Sequence, residues 1–485
     1  MSPSTLALAA VLVPAAPLAL HPANPRILLF RGEPTVLVGS GEHYGAVLNA
    51  DFDYRTYLET LAADGLNLTR TFVGSYVEKP GDFGIRLNTL APAPGRFLAP
   101  WARSGSPGYA GGGNRFDLER WDAAYFARLR DFVGEAGRRG IVVEVVMFSA
   151  YYRDGWSLSP LNARNNVNGV GEVEKGRAQT LDNGPLLGHQ ERMVRKVVEE
   201  LAGFDNVYFE VQNEPWADHP VEAGLVSPYL RPGELPGDAV RWRNQVHLAS
   251  KASLDWQARI VSAIADEERR LGSRHLIAQN YCNFRHPLRD VDPRVSVVNF
   301  HYAWPEAAAW NLGLGRALAS DETGFAGSAD ETYREQAWGF LLAGGSIFSH
   351  LDYSFAVGKE DGTAANSAPG GGSPALRRQL GVLKAFLGRF DLPALGPRPD
   401  VVARAPGAVA HVLADVGRAY AVYLVGDGDT ALALELPAGR YREEWVDTKT
   451  GATIAGGDFE HRGGPWERRS PRYERDVALR IVALP

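Results

Sequence analysis

Cysteine is nearly missing. Cys282 stands alone among 485 residues, which excludes an intrachain disulfide framework, and no Cys/His pairs fall at the spacing of a metal site. Long basic runs are missing too. Against 57 Asp and Glu there are 51 Lys and Arg, giving a formal net charge of −6, so neither nucleic acid nor an anionic membrane is expected as the main partner. A membrane span is not expected either: the apolar stretch from Leu6 to Leu20 is too short and too interrupted by proline to cross a bilayer. Residues 1–20 read as a leader or signal peptide, although no Lys or Arg precedes the apolar part and no clean cleavage site follows. Its end, Leu18 to His21, reads equally as a first edge strand. A secreted or periplasmic location is expected, with cytoplasmic as the alternative. No Gly-rich phosphate loop and no strand-end His pairs are evident, which disfavours a phosphate-sugar isomerase or a metal-dependent hydrolase. No cofactor and no metal are expected, and the oligomeric state is open.

What is present suits a large soluble fold. The 45% hydrophobic and 22% charged fractions allow a sizeable core, and the length fits a barrel of about 250 residues or more plus a smaller unit. Short apolar runs alternate with amphipathic ones, the pattern of repeated βα units. The runs Thr35–Gly39, Leu66–Phe72, Ile141–Phe148, Val207–Val211, Leu276–Asn280, Val295–Phe300, Ala317–Ser320 and Ser346–His350 read as eight strands buried on both faces. Helical patterns include Trp121–Arg139, Gln190–Leu201, Ser253–Leu271 and Tyr333–Ala343. From about Leu395 the periodicity changes to short strands separated by turns. The expected class is α/β: a (β/α)8 TIM barrel over residues 21–394, followed by a smaller antiparallel β-sandwich over 395–485, with Trp445 in its core.

Four connections after strand ends are too long to be mere links: Gly74 to Asp117, Ser149 to about Leu187, Pro215 to about Trp242, and Phe355 to Pro374. Such loops build the functional face of a barrel, and their aromatics (Trp101, Tyr109, Tyr151, Tyr152, Trp156) suit a wall around a ring-shaped ligand.

Two strand ends carry the chemistry. Asn206–Trp216 contains a β-rich run ending in Asn213-Glu214-Pro215, where proline stops the ladder and leaves Glu214 at the rim. Ala317–Phe325 ends its strand in Asp321-Glu322. Strands four and seven face each other across a barrel mouth, so Glu214 and Glu322 can flank one bond as acid/base and nucleophile. Alternation along a strand admits only one of Asp321 and Glu322 to the lumen, and Glu322 is favoured over its neighbour. Arg70 within an apolar strand needs an acidic partner, Glu322 first. Tyr302 can donate to the same carboxylate, and His301 can orient Glu214 or bind substrate, beside Trp304 and Trp310. Glu42, His43 and Tyr44 end the first strand, and His350, Asp352 and Tyr353 the eighth, where polar groups would meet substrate hydroxyls. Gln279 and Asn280 follow strand five. The run Asn162, Asn165, Asn166 and Asn168 reads as sugar ligands or as turn chemistry.

Together these motifs resemble clan A glycoside hydrolases, particularly the family 5-like, cellulase-related enzymes, over roughly His21 to Phe390. The resemblance implies a (β/α)8 barrel, cleavage of a β-glycosidic bond with retained configuration, and a carbohydrate substrate. Carried over, Asn213 and Glu214 match the family's Asn-acid/base pair, Glu322 its nucleophile, Arg70 the strand-two arginine, and His301 and Tyr302 the strand-six pair. Three positions depart from it. His301 and Tyr302 are adjacent where one residue usually intervenes, strand eight reads His350-Leu-Asp352 where many members carry Trp, and strand three lacks the common His. The C-terminal unit is similar to small domains appended to several barrel glycosidases. A non-catalytic, carbohydrate-binding barrel is the competing reading.

Overall fold

Eight parallel strands carry the architecture: β1 Leu37–Gly41, β2 Leu68–Phe72, β3 Val142–Ser149, β4 Val207–Asn213, β5 Ile277–Asn283, β6 Val297–His301, β7 Ala317–Glu322 and β8 Ile347–Leu351. The structure, a computed structural model, describes residues 16–227, 241–365 and 368–485. Hydrogen-bonded neighbours run β1-β8-β7-β6-β5-β4-β3-β2. The β1–β2 seam is bridged by Asn67: its N–H donates to Val38 O at 3.1 Å, and its side chain accepts from Val38 N at 2.8 Å and donates to Val36 O at 3.0 Å. The sheet closes into the expected barrel.

Among the described residues the α-helices of five residues or more are α1 Tyr54–Ala63, α2 Ala123–Arg138, α3 Leu186–Leu201, α4 Lys251–Leu271, α5 Pro305–Ala309, α6 Asp330–Leu342 and α7 Pro374–Leu387. Asp53, Asp122, Ser250 and Ser373 cap α1, α2, α4 and α7 by accepting from first-turn amides. The connection from β5 to β6 has no helix, so the ring is one short of the eight intervening helices that a regular repeat supplies.

The barrel interior is stratified. At its floor Leu37, Leu68, Val142, Tyr208, Ala278, Val297, Ala317 and Ile347 form an apolar layer, closed below by Leu18 and Leu28. Leu18 belongs to the segment expected as a leader, and Ala19–Leu20 pairs antiparallel with Leu28–Phe30 as the edge strand. Residues 1–15 of that segment lie outside the described residues. Two residues further up, the same inward face becomes polar on five of the strands, β2 to β6: Arg70, Glu144, Glu210, Asn280 and Asn299, all buried.

Past Gly396 the strands are antiparallel. Ala408–Asp415, Ala419–Gly426, Asp476–Ala483, Gly439–Val446 and Thr453–His461 form one sheet, and Val402–Arg404, Ala431–Leu436 and Gly464–Arg469 a second. Between them lies a core with Trp445 and Trp466. The last of these, Gly464–Arg469, places Glu467, Arg468 and Arg469 in succession at an edge of the second sheet. The first sheet seats on the barrel through α6. Trp338 stacks on Tyr423 at 5.1 Å, and Arg334 makes a buried two-point pair with Asp476 at 2.8 and 2.9 Å.

Candidate active site

Backbone geometry at the strand ends makes the site. Tyr44, Glu214, Phe284 and Tyr302, each just beyond β1, β4, β5 and β6, have positive φ (59°, 45°, 53° and 54°). A non-glycine residue there is strained and persists only where its surroundings hold it. The left-handed step turns consecutive side chains toward the same cavity, so Asn213 and Glu214 both face it, and His301 and Tyr302, although adjacent, both reach the carboxylates.

A different irregularity delivers Glu322. On β7, Ala317, Ala319 and Asp321 share the inward face, and strict alternation would send Glu322 outward. The ladder with β6 slips at this point: Phe300 pairs with Ser320 and His301 with Glu322, leaving Asp321 as a bulged residue. Both acids therefore lie inside. The expectation that only one could enter fails because the bulge breaks the two-residue period.

Glu322 is surrounded by donors. Tyr44 Oη donates to Oε2 at 2.8 Å, Tyr302 Oη to Oε1 at 2.8 Å, and Arg70 Nη1 to Oε2 at 3.2 Å; His301 Nδ1 is 3.5 Å from Oε1. Burial opposes ionisation, but His301, Arg70 and the Tyr44 hydroxyl outweigh it and hold the carboxyl well below the usual range. Burial likewise opposes charge on His301, yet Glu322 and Asp321 raise its pKa well above the ordinary value, so the ring is an imidazolium at neutral pH. Its Nδ1–H then donates to Glu214 Oε1 at 2.9 Å, and Tyr152 Oη donates to Glu214 Oε2 at 2.6 Å. Asn213 Nδ2 in turn donates to Tyr152 Oη at 3.0 Å. An oxygen of Glu214, a nitrogen of His301 and an oxygen of Glu322 lie within 4.8 Å of one another.

Arg70 is placed differently from the expectation. Its nearest acid is Glu210, at 2.5 Å from Nη2 and 2.9 Å from Nε, with Asn213 Oδ1 at 2.8 Å, Asp321 at 3.3 Å and Glu144 at 3.6 Å. The guanidinium is the cation of a buried anionic layer, and Glu322 is one of four carboxylates it serves. The remaining charge is relieved by protonation: burial and Asp321 push Glu144 up to about 7, and burial lifts Glu210 well above the carboxylate range despite Arg70. Glu144, Glu210 and Asp321 are as compact as a cation site would be, as are Glu214, His301 and Glu322. In each group Arg70 or His301 already supplies the positive charge.

Other expected residues lie away from Glu214 and Glu322. Glu42 is buried, and its carboxylate accepts from Gly45 N and Ala46 N, fixing the β1 loop. His350 shares a hydrogen bond with Ser40 at 2.9 Å, and burial and Arg377 depress it to about 3, so it is neutral packing against Tyr333. Asp352 pairs with Arg377 at 2.7 Å. Trp304 is partly exposed on an outer depression, its ring under Arg285 at 4.4 Å. Asn165 and Asn166 spend their amides on loop carbonyls, and Asn280 donates to Glu210, below the rim. Trp101, Tyr109, Tyr151 and Trp156 are buried within the loops, and of the five loop aromatics Tyr152 reaches the carboxylates. His43 stays at the cavity wall. Sequence reasoning missed Glu144, Glu210 and Glu78. The first two share the inward phase of Arg70 and its neighbours, a signal that a two-residue register count would have found.

The pocket over Glu322, about 360 Å³ with the space open to solvent included, is walled by Phe72, Tyr76, Phe83, Phe325 and Leu90. It opens past Glu214 into a larger cleft of about 1060 Å³ bearing Trp216, Trp242, Arg153 and Arg243.

The sequence matches no protein-family model and no curated protein. Solved structures do resemble the chain. One from Bacteroides vulgatus ATCC 8482, provisionally described as a glycoside hydrolase, is 14% identical and aligns over 97% of this chain and 83% of its own with a TM-score of 0.65. A second from the same organism, described as a glycoside hydrolase of family 5, is 13% identical over 96% and 93% of the two chains with a TM-score of 0.60. A third, described as a glycoside hydrolase, is 13% identical over 97% of each with a TM-score of 0.58. Likeness at this identity establishes the shared fold, a (β/α)8 barrel with an appended β domain.

Proposed function

We propose that the chain is a glycoside hydrolase that cleaves a β-glycosidic bond with retention, Glu322 acting as nucleophile and Glu214 as acid and then base. The observation that carries this reading is the carboxylate pair itself: oxygens of Glu214 and Glu322 approach within 4.8 Å, with His301 between them. Retaining enzymes need their two carboxyl groups about 5–5.5 Å apart, whereas inversion needs roughly 6.5–9.5 Å to admit a water.

The unequal surroundings divide the roles. Three donors and the nearby positive charge of His301 keep Glu322 anionic, as an attacking group must be. Glu214 sits at the junction of pocket and cleft, where the leaving oxygen departs, and Tyr152 and His301 fix its orientation. Attack of Glu322 on the anomeric carbon breaks the glycosidic bond while Glu214, taking the proton of the His301 imidazolium along their 2.9 Å hydrogen bond, protonates the leaving oxygen. Water, deprotonated by Glu214, then displaces Glu322 and restores the anomeric configuration. Asn213, oriented by Arg70 and Tyr152, is poised to hold a hydroxyl neighbouring the reacting carbon.

The discriminating experiment is Glu322→Ala assayed on an aryl glycoside panel. Turnover should vanish, and added azide should restore part of it as a glycosyl azide of inverted configuration. Unchanged turnover would sink the assignment. Sugar binding with no turnover by the intact chain on any glycoside would favour the non-catalytic barrel instead. An exported location fits a polysaccharide-degrading role and belongs to the same proposal.

A further inference from the structure

The pocket over Glu322 is bounded in part by the buried residues His43, Tyr76, Glu78 and Leu90. Tyr76, Glu78 and Leu90 belong to the segment that follows β2, and that segment is stitched down rather than loose. Glu78 N donates to Leu90 O at 2.9 Å, Asn49 Nδ2 to Thr89 O at 3.0 Å, and Leu98 N to Leu48 O at 2.8 Å, tying it to the loop after β1. Gly45 is required at that seam, because a Cβ there would fall 2.2 Å from Thr89 O.

Inside this wall lies a polar group with no part in the carboxylate chemistry. Glu78 is buried, and it accepts from Asn88 Nδ2 at 2.5 Å, Tyr76 Oη at 3.1 Å and His43 Nε2 at 3.3 Å. The carboxylate thereby fixes the ring of His43, whose Nδ1 is buried without a hydrogen-bond partner although the residue lines the pocket. Behind it Tyr353, its ring 5.8 Å from that of His43, is 3% exposed and has an unpartnered hydroxyl. A buried polar atom without a partner is costly until something meets it, and of these two His43 Nδ1 belongs to a residue that lines the pocket.

We propose that this chain acts as an exo-glycosidase: the pocket takes one unsubstituted terminal sugar, and His43, held by Glu78 with Tyr353 behind, binds the hydroxyls farthest from the bond that is cut. The inference rests on the retaining reading above, since that reading decides which side is which. Glu322 lines the small pocket and not the larger cleft, whereas Glu214 lines both. The sugar attacked by Glu322 therefore occupies the pocket, and the leaving portion extends into the cleft over Trp216 and Trp242. With solvent-open space included on the same footing, the pocket encloses about 360 Å³ against about 1060 Å³ for the cleft, so it is the narrower of the two. It suits one ring, and a chain continuing from that ring would run into Glu78 and Leu90.

The test compares products. The full-length chain is assayed on p-nitrophenyl monoglycosides, on the corresponding p-nitrophenyl disaccharides and on the soluble polymer. Monosaccharide alone should be released at every stage, with the disaccharides cut stepwise and polymer viscosity nearly unchanged. Glu78→Gln should raise KM for the best monoglycoside by about tenfold or more, with a smaller change in kcat, as expected when a contact shared by ground state and transition state is lost. Release of intact disaccharide from the aryl disaccharide, or a rapid fall in viscosity, would overturn the exo inference and leave the retaining pair standing. No turnover on any glycoside, together with no labelling of Glu322 by fluoroglycosides, would overturn the parent reading and this one with it. The product pattern comes from the unmodified chain, so a variant that folds poorly leaves the test intact.

Discussion

At the scale of single residues, the two tyrosines on Glu322 are the clearest levers. Each hydroxyl donates at 2.8 Å to a buried carboxylate, and a hydrogen bond to a charged group contributes about 1.5–3 kcal/mol. Tyr302→Phe should lower kcat/KM roughly 10–100-fold. Because the lost donor favours the ionised form, the acidic limb of the pH–rate profile should move to higher pH; an unmoved limb would show that Tyr302 does not support the nucleophile. Glu144 acts through stability. Its folded pKa of about 7 lies above the ordinary 4.5, so its neutral form is favoured in the fold. That contribution is complete below about pH 4.5 and is lost as pH rises through about 7. Glu144→Gln should flatten the fall in Tm across that window, read by calorimetry at several pH values. The placement of Glu214 and Glu322 at strand ends was legible because a strand ending in an acid is a local pattern. The Asp321 bulge was not, since a register slip depends on the partner strand β6.

At the scale of elements, the eight strands were readable from apolar runs, yet seven of them extend one to three residues beyond their expected C-terminal ends. The additions include Asn213, Asn283, His301 and Glu322, polar residues that carry no strand signal and are held by the ladder and by one another. Propensity fails where the chemistry sits. The pocket wall that follows β2 belongs to this scale as well. Gly45→Ala places a methyl group against Thr89 O, and such overpacking costs about 1–3 kcal/mol. A lower Tm with a raised KM is expected, and an unaltered KM would detach the wall from substrate binding.

At the scale of the whole molecule, the change of texture near Leu395 announced the β-sandwich, but the contact that seats it was invisible. Arg334 and Asp476 are 142 residues apart in sequence, and each alone reads as an ordinary surface charge. Together with Tyr423 and Trp338 they form a buried polar joint between α6 and the last strand. Removing one partner of a buried pair costs roughly 3–5 kcal/mol. Arg334→Met should therefore lower the unfolding temperature of barrel and sandwich together; two separated transitions, with the barrel's unshifted, would show that the units are energetically independent.

The central claim, that Glu322 forms the covalent intermediate, is tested most directly by trapping. The full-length chain is incubated with a panel of 2-deoxy-2-fluoroglycosides, digested, and its peptides sequenced by mass spectrometry. The predicted result is a single sugar adduct on Glu322 formed in step with inactivation. An adduct on Asp321 or elsewhere, or undiminished hydrolysis that yields the inverted anomer with no adduct, would contradict it.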